Sequence, residues 1–263
     1  MTTKNCLNCE TELAGHYCSG CGQKADTHRI TFRNFISHDL LHGTFHIEKG
    51  MLFTARQALL RPGKAALDYI SGKRKPYYNV FYLVLITFGL LLFVRHFWDQ
   101  IPGEEIIDKK PYLNEASRKL DEIFAQKSKI IVFLFVPLAA LNGFILFRKK
   151  NLNLSEHFII SGMVLAGMLL ISLLGNVFFY FDLLIPFSDT FALIMSWVVT
   201  VLVIFQMGYG YFNAFASDYS KWGIACRIVL FYLLCALQIL ILFAFVWGWV
   251  SNWKFGTVTV SPF

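Results

Sequence analysis

Polar and apolar positions divide this chain into a polar, cysteine-bearing start, a mixed segment, and five long apolar runs separated by polar loops. The runs cover Tyr78–Phe97, Ile130–Phe147, Phe158–Phe181, Phe191–Phe212 and Cys226–Val250. Each is near or above the roughly 20 residues an α-helix needs to cross a hydrocarbon core. Backbone groups in lipid must pair internally, so the runs are predicted to be helices. The second is the shortest, and Pro137 inside it predicts a kink.

The remaining segments carry helical periodicity of a different kind. Phe32, Phe35, Ile36, Asp39 and Leu40 recur at helical spacing, with Thr31 placed to cap. A second helix is expected over about Lys49 to Leu60. Pro62 suits the first turn of a third and Gly72 its end. Beside a basic cluster, these read as amphipathic segments on the inner membrane surface; a small soluble bundle is the alternative. Between the first two spans, Leu113, Ala116, Leu120 and Ile123 share a face of one more amphipathic helix leading into the second span. The expected fold is therefore an all-α membrane protein of about five transmembrane helices. Its segments are 1–27, a cysteine module; 28–77, juxtamembrane helices; 78–250, the membrane domain with an external loop 98–129; and 251–263, an external tail.

Composition supports an apolar solvent. Of 263 residues, 56% are hydrophobic and 16% charged, where soluble domains carry about a quarter charged residues. The net charge of +7 is uneven, with eleven Lys and Arg against six acids in residues 1–77. Basic residues next to a span mark orientation and contact with anionic lipid, and nucleic acid is the less favoured reading. Arg61, Lys64, Lys73, Arg74 and Lys75 precede the first span, and Arg148, Lys149 and Lys150 follow the second. Only Asp182 and Asp189 are charged between the third and fourth. That asymmetry places the N-terminus in the cytosol and the C-terminus outside. Loop 98–129, with six basic and seven acidic residues, argues neither way. The polar opening of the chain lacks the pattern of a secretory leader, in keeping with a cytosolic N-terminus.

Candidate chemistry concentrates in four cysteines. Cys6 and Cys9 form one Cys-x2-Cys pair, and Cys18 and Cys21 a second eight residues later. Each pair lets one tight turn aim two sulfurs at a point, and two facing turns complete the tetrahedron of a closed zinc site. Two disulfides or a bound iron are the alternatives; a reducing cytosol disfavours the first. Four thiolates leave no open position, so the zinc is expected to be structural. Cys226 and Cys235, in an apolar run, read as inert small hydrophobes.

A second metal site is conceivable at His38, His42 and His46, spaced four apart with Asp39 and Glu48 nearby, although Gly43 interrupts that stripe. His28 and His157 are further neighbours to consider. Within the spans ionisable residues are nearly absent, which disfavours an ion or proton path. Asn142, Asn176, Gln206, Asn213 and Gln238 read as interhelical hydrogen-bonding groups. Gly162, Gly167, Gly175, Gly208 and Gly210 read as close-approach positions.

Several of these residues also form a longer pattern. Cys6-x2-Cys9, Tyr17-Cys18-x2-Cys21-Gly22-Gln23-Lys24, His28-Arg29-Ile30-Thr31, Lys49-Gly50, Arg61-Pro62-Gly63-Lys64 and Tyr69-Ile70-x-Gly72-Lys73-Arg74-Lys75-x-Tyr77 resemble the bacterial domain-of-unknown-function family 3667 over about residues 4–90. The resemblance implies a zinc-ribbon-like N-terminus on a bacterial inner-membrane protein and carries no catalytic residue. The leading functional reading is a membrane-embedded adaptor, scaffold or regulatory module. It would bind a protein partner and anionic lipid, with Arg61, Lys64, Lys73, Arg74 and Lys75 at the headgroups. The alternatives are a channel or transporter for a lipid or other apolar substrate, and a membrane metalloenzyme using the histidine stripe. Homo-oligomerisation is left open.

Overall fold

The computed structural model describes residues 5–25, 27, 49–98, 115–251 and 253. The Thr31 helix, the histidine stripe, residues 99–114 of loop 98–129 and nearly all of the tail lie outside them. Among the described residues seven α-helices follow the cysteine module: α1 (Lys49–Leu60), α2 (Pro62–Ile70), α3 (Val80–Trp98), α4 (Glu115–Leu146), α5 (Leu154–Phe179), α6 (Asp189–Phe215) and α7 (Lys221–Val250). Among the described residues there is no sheet, only two isolated β-bridges, Asn5 with Glu12 and Tyr17 with Lys24.

Besides α4, three helices start earlier than their apolar runs. Asn153 and Glu156 form a reciprocal capping box at the head of α5, Glu156 N donating to Asn153 Oδ1 (2.9 Å) and Asn153 N to Glu156 Oε2 (2.7 Å). Ser188 accepts from Phe191 N at α6, and Ser220 from Gly223 N at α7. Polar first turns are invisible to an apolar window but satisfy the orphan amides of a helix start.

α5 is the hub. It packs against α1, α2, α3, α4 and α6, and 61% of its apolar stretch is buried, against 11% for α6 and 6% for α7. The last two therefore present most of their apolar surface outward. α3 runs parallel to α5, since Val80 lies against Gly162 and Tyr180 donates to Val94 O near the far end. α4 and α6 run antiparallel to α5: Val136 O accepts from Ser161 and Gly143 faces His157, while Val164 meets Gly210 and Gly175 meets Val199. One end of the bundle thus gathers loops 71–79, 147–153 and 216–220 together with the cysteine module. The other gathers loop 184–188 and the ends of α3 and α7.

The expected fifth span needs correction. Four helices among the described residues are long and apolar enough to cross a membrane: α3, α5 extended to Asp182, α6 and α7. The run Ile130–Phe147 is the C-terminal half of a continuous helix that begins at Glu115 and passes through Pro137. Its apolar part, Val132–Leu146, is short, about 22 Å at 1.5 Å per residue against a core of about 30 Å. The N-terminal half of α4 carries Arg118, Lys119, Asp121, Glu122, Lys127 and Lys129.

The close-approach glycines hold up. A Cβ on Gly63 would strike Gly210 O and the backbone of Ala214, and one on Gly167 would strike Ala58 O and Gln206 Nε2. These contacts seat an α1–α2 hairpin against the bundle. Thr54, Ala58, Pro62, Gly63, Ala65 and Ala66 face inward, and Leu52, Phe53, Arg56, Leu60, Arg61 and Lys64 face out. Ala58 meets Gly167 about 20 Å along α5 from its first residue. Gln206 donates to Ala58 O (2.8 Å) and Leu59 O (3.1 Å), Tyr209 to Leu60 O (2.9 Å), and Lys64 N to Asn213 Oδ1 (2.9 Å). Polar side chains of a span thereby satisfy the carbonyls that end α1. Asn142 and Gln238 exchange amide hydrogen bonds between α4 and α7 (3.0 and 2.8 Å). Asn176 differs from expectation, donating to Ser172 O of its own helix.

Candidate metal centre

The module is two copies of one turn. In the first, Cys6 N donates to Thr11 O (2.8 Å) and Glu10 N to Cys6 O (2.9 Å). In the second, Cys18 N donates to Gln23 O (2.8 Å) and Gly22 N to Cys18 O (2.8 Å). The residue after the second cysteine is left-handed in both, Glu10 at φ 63° and Gly22 at φ 72°. That bend points both sulfurs of a pair at the opposite pair. Cys6 Sγ lies 3.6 Å from Cys21 Sγ, and Cys9 Sγ lies 3.4 Å from Cys18 Sγ. All four ligand atoms fall within 4.8 Å of one another. A tetrahedral ion with bonds near 2.3 Å needs sulfurs about 3.8 Å apart, so the donor set fits such a metal. The sulfurs are too far apart for disulfides, and all four cysteines are free.

Electrostatics point the same way. Burial pushes the Cys6 thiol up to about 11. The Thr11 hydroxyl and amide beside Cys9 hold its thiol down to about 6, the hydroxyl 3.3 Å from the sulfur. Four converging thiolates repel one another and need a cation at their centre. The four-cysteine cluster is thus able to coordinate a metal. Among the described residues no other group of three or more ligand side chains gathers this way.

The centre is joined to the helices through Gln23. Its side chain is 5% exposed. Nε2 donates to Gly72 O (2.8 Å), and Oε1 accepts from Arg74 N (3.2 Å) and Lys75 N (3.1 Å). Leu7, from the first turn, sits where a Cβ of Gly72 would stand, 2.6 Å from its Cδ1, and Gly72 has φ 101°. One glutamine amide and one leucine thus fasten the module onto the loop between α2 and α3. Cysteine spacing assigns no role to either. Gln23 and Gly72 do stand in the longer sequence pattern, and that was the available signal.

The five basic residues occupy this same corner. Asp68 collects two of them, Lys73 at 3.6 Å and Arg61 at 3.8 Å, and accepts from the Tyr77 hydroxyl (3.1 Å). Burial, then the Asp68 charge, pushes the Tyr77 phenol up to about 12. Arg61 Nε also donates to Gln57 Oε1, and the Arg74 guanidinium lies 5.4 Å from the Tyr69 ring. Lys64 and Lys75 are exposed. His38, His42 and His46 lie outside the described residues. His157 is buried between Phe144 and Phe215, within the bundle.

Residues 48–92 match the family model described as Protein of unknown function (DUF3667). The matched stretch holds α1, α2, the Gly72 loop and the first two thirds of α3, so it covers the receiving half of the junction and leaves the cysteines outside. No curated protein and no solved structure matches the chain. It is a multi-pass membrane protein with a four-cysteine cluster able to bind a metal and a segment similar to the DUF3667 model.

Proposed function

We propose that this protein is an adaptor or scaffold of the bacterial inner membrane, in which a structural zinc ion holds a cytosolic docking module rigidly on the DUF3667 hairpin. The observation that carries this reading is the Gln23 amide bridging Gly72, Arg74 and Lys75. A merely tethered module would need no such joint. Zinc fits four thiolates with no open position, and its part is to fold the module. The cations of the corner suit anionic headgroups, with Arg61, Lys64, Lys73 and Lys75 all exposed. Placing this end in the cytosol agrees with reduced cysteines and with Arg148, Lys149 and Lys150 at the same end.

The test is a pull-down in mild detergent comparing the full chain, a chain lacking residues 1–27, and Gln23→Ala. Partners lost with the module, and weakened in Gln23→Ala at full metal content, support the reading. An identical set of captured proteins from all three overturns it.

A further inference from the structure

We infer that the α4–α7 pair holds one acyl chain of an anionic phospholipid in a lateral cleft, with its headgroup at a basic knot where the two helices meet. The cleft has a volume of about 200 Å3 and is lined by Leu134, Leu138 and Ala139 from α4 and by Cys235, Gln238 and Leu242 from α7. Its polar groups are already used. Gln238 is paired with Asn142, and Asn142 Nδ2 also reaches Cys235 Sγ (3.4 Å). The walls therefore offer dispersion contacts and little else, which suits hydrocarbon.

The knot supplies the headgroup chemistry. Residues 146–150 and 218–227 hold Arg148, Lys149, Lys150, Lys221 and Arg227 against one acid, Asp218. The Tyr219 ring lies 4.1 Å from the Arg227 guanidinium and 4.8 Å from the Lys149 ammonium. Arg227 also donates to Leu146 O (3.2 Å), and Lys150 pairs with Asp218 at 3.1 Å. Arg148 and Lys221 are left exposed at the rim. Basic pockets between spans on the cytosolic side bind anionic headgroups. Arg227 to Cys235 is about 12 Å, and Leu146, whose carbonyl Arg227 holds, to Ala139 about 10 Å along their helices, so a headgroup at the knot places mid-chain carbons in the cleft. This site shares no residue with the Arg61–Lys75 corner.

The full chain is reconstituted in vesicles containing phosphatidylglycerol or phosphatidylcholine with a photoreactive diazirine at mid-chain, and the labelled residues are mapped. Labelling is expected to concentrate on 134–139 and 235–242, several-fold more from phosphatidylglycerol. Arg148→Gln with Lys221→Gln, both at exposed positions, removes that preference. Ala139→Leu fills the cleft and removes its labelling while labelling of the outward face of α6 persists. Equal labelling by the two lipids, cleft labelling no denser than that of α6, or insensitivity to either variant overturns the inference.

Discussion

Glu10 and Gly22 occupy the same place in the two cysteine turns, and only one is suited to it. A left-handed backbone costs a residue with a Cβ about 1–2 kcal/mol, and glycine nothing comparable. Gly22→Ala is therefore expected to weaken metal retention, and Glu10→Gly to strengthen it, in a chelator competition on the purified protein. Cys18→Ser is expected to abolish metal binding while the protein stays in the membrane fraction, as read by metal content per chain. Thr11→Val removes the hydroxyl beside Cys9, an outer-shell loss worth about tenfold or more in metal affinity. Metal should be released as pH falls, because protons compete for the thiolates. Cys9, held near 6 by Thr11, resists protonation longer than an unsupported thiol. Thr11→Val should therefore move the release midpoint to higher pH.

At the scale of elements, the α1–α2 hairpin depends on glycines that meet backbone. Gly63 abuts Gly210 O and Ala214, atoms that cannot swing aside, whereas Gly89 on α3 has nothing within 4 Å of its Cβ position. Gly63→Ala is expected to lower thermal stability in detergent by about 1–3 kcal/mol through overpacking. Gly89→Ala should leave it unchanged or slightly raised. Gly167 and Gly210, the start of α1 near Lys49 and the Pro62 start of α2 were legible in the sequence, because turn chemistry and small residues are local signals; Gly63 stood only in the longer family-like pattern. The receiving surface was not. That Gln206, Tyr209 and Asn213 satisfy α1 and α2 depends on contacts between residues far apart in sequence, which no periodicity encodes. Asp68 gathers Arg61, Lys73 and Tyr77 from nearby in the chain, but around a turn whose path the charges alone do not give. The cysteine geometry was legible for the opposite reason, since each Cys-x2-Cys pair carries its own turn. The amphipathic turns before Ile130 were legible as a helix leading into the second span, and one continuous helix runs from Glu115 to Leu146. What was misjudged is its apolar length, since only Val132–Leu146 is apolar, short of a crossing.

For the whole molecule, α4 decides the topology. By length and composition four helices cross, which would return both ends of the bundle sequence to one side. By direction α4 lies antiparallel to α5 and to α7 and so occupies the place of a fifth pass, which would put Ser251 opposite the cysteine module. Its polar link to α7, the Asn142–Gln238 pair, and its closeness to α5 at Gly143 and Val136 seat it along the bundle, while its apolar part, Val132–Leu146, is shorter than a full crossing. Single cysteines at Arg148, Leu184 and Ser251, with Cys226 and Cys235 replaced by alanine, separate the two when intact cells are treated with a membrane-impermeant maleimide. Leu184 is 77% exposed at the far end. Labelling is expected at Leu184→Cys and Ser251→Cys, and at Arg148→Cys only after the cells are opened. If Leu184→Cys labels while Ser251→Cys does not, the two far-end positions lie on opposite sides of the membrane and the antiparallel passage of α4 is wrong.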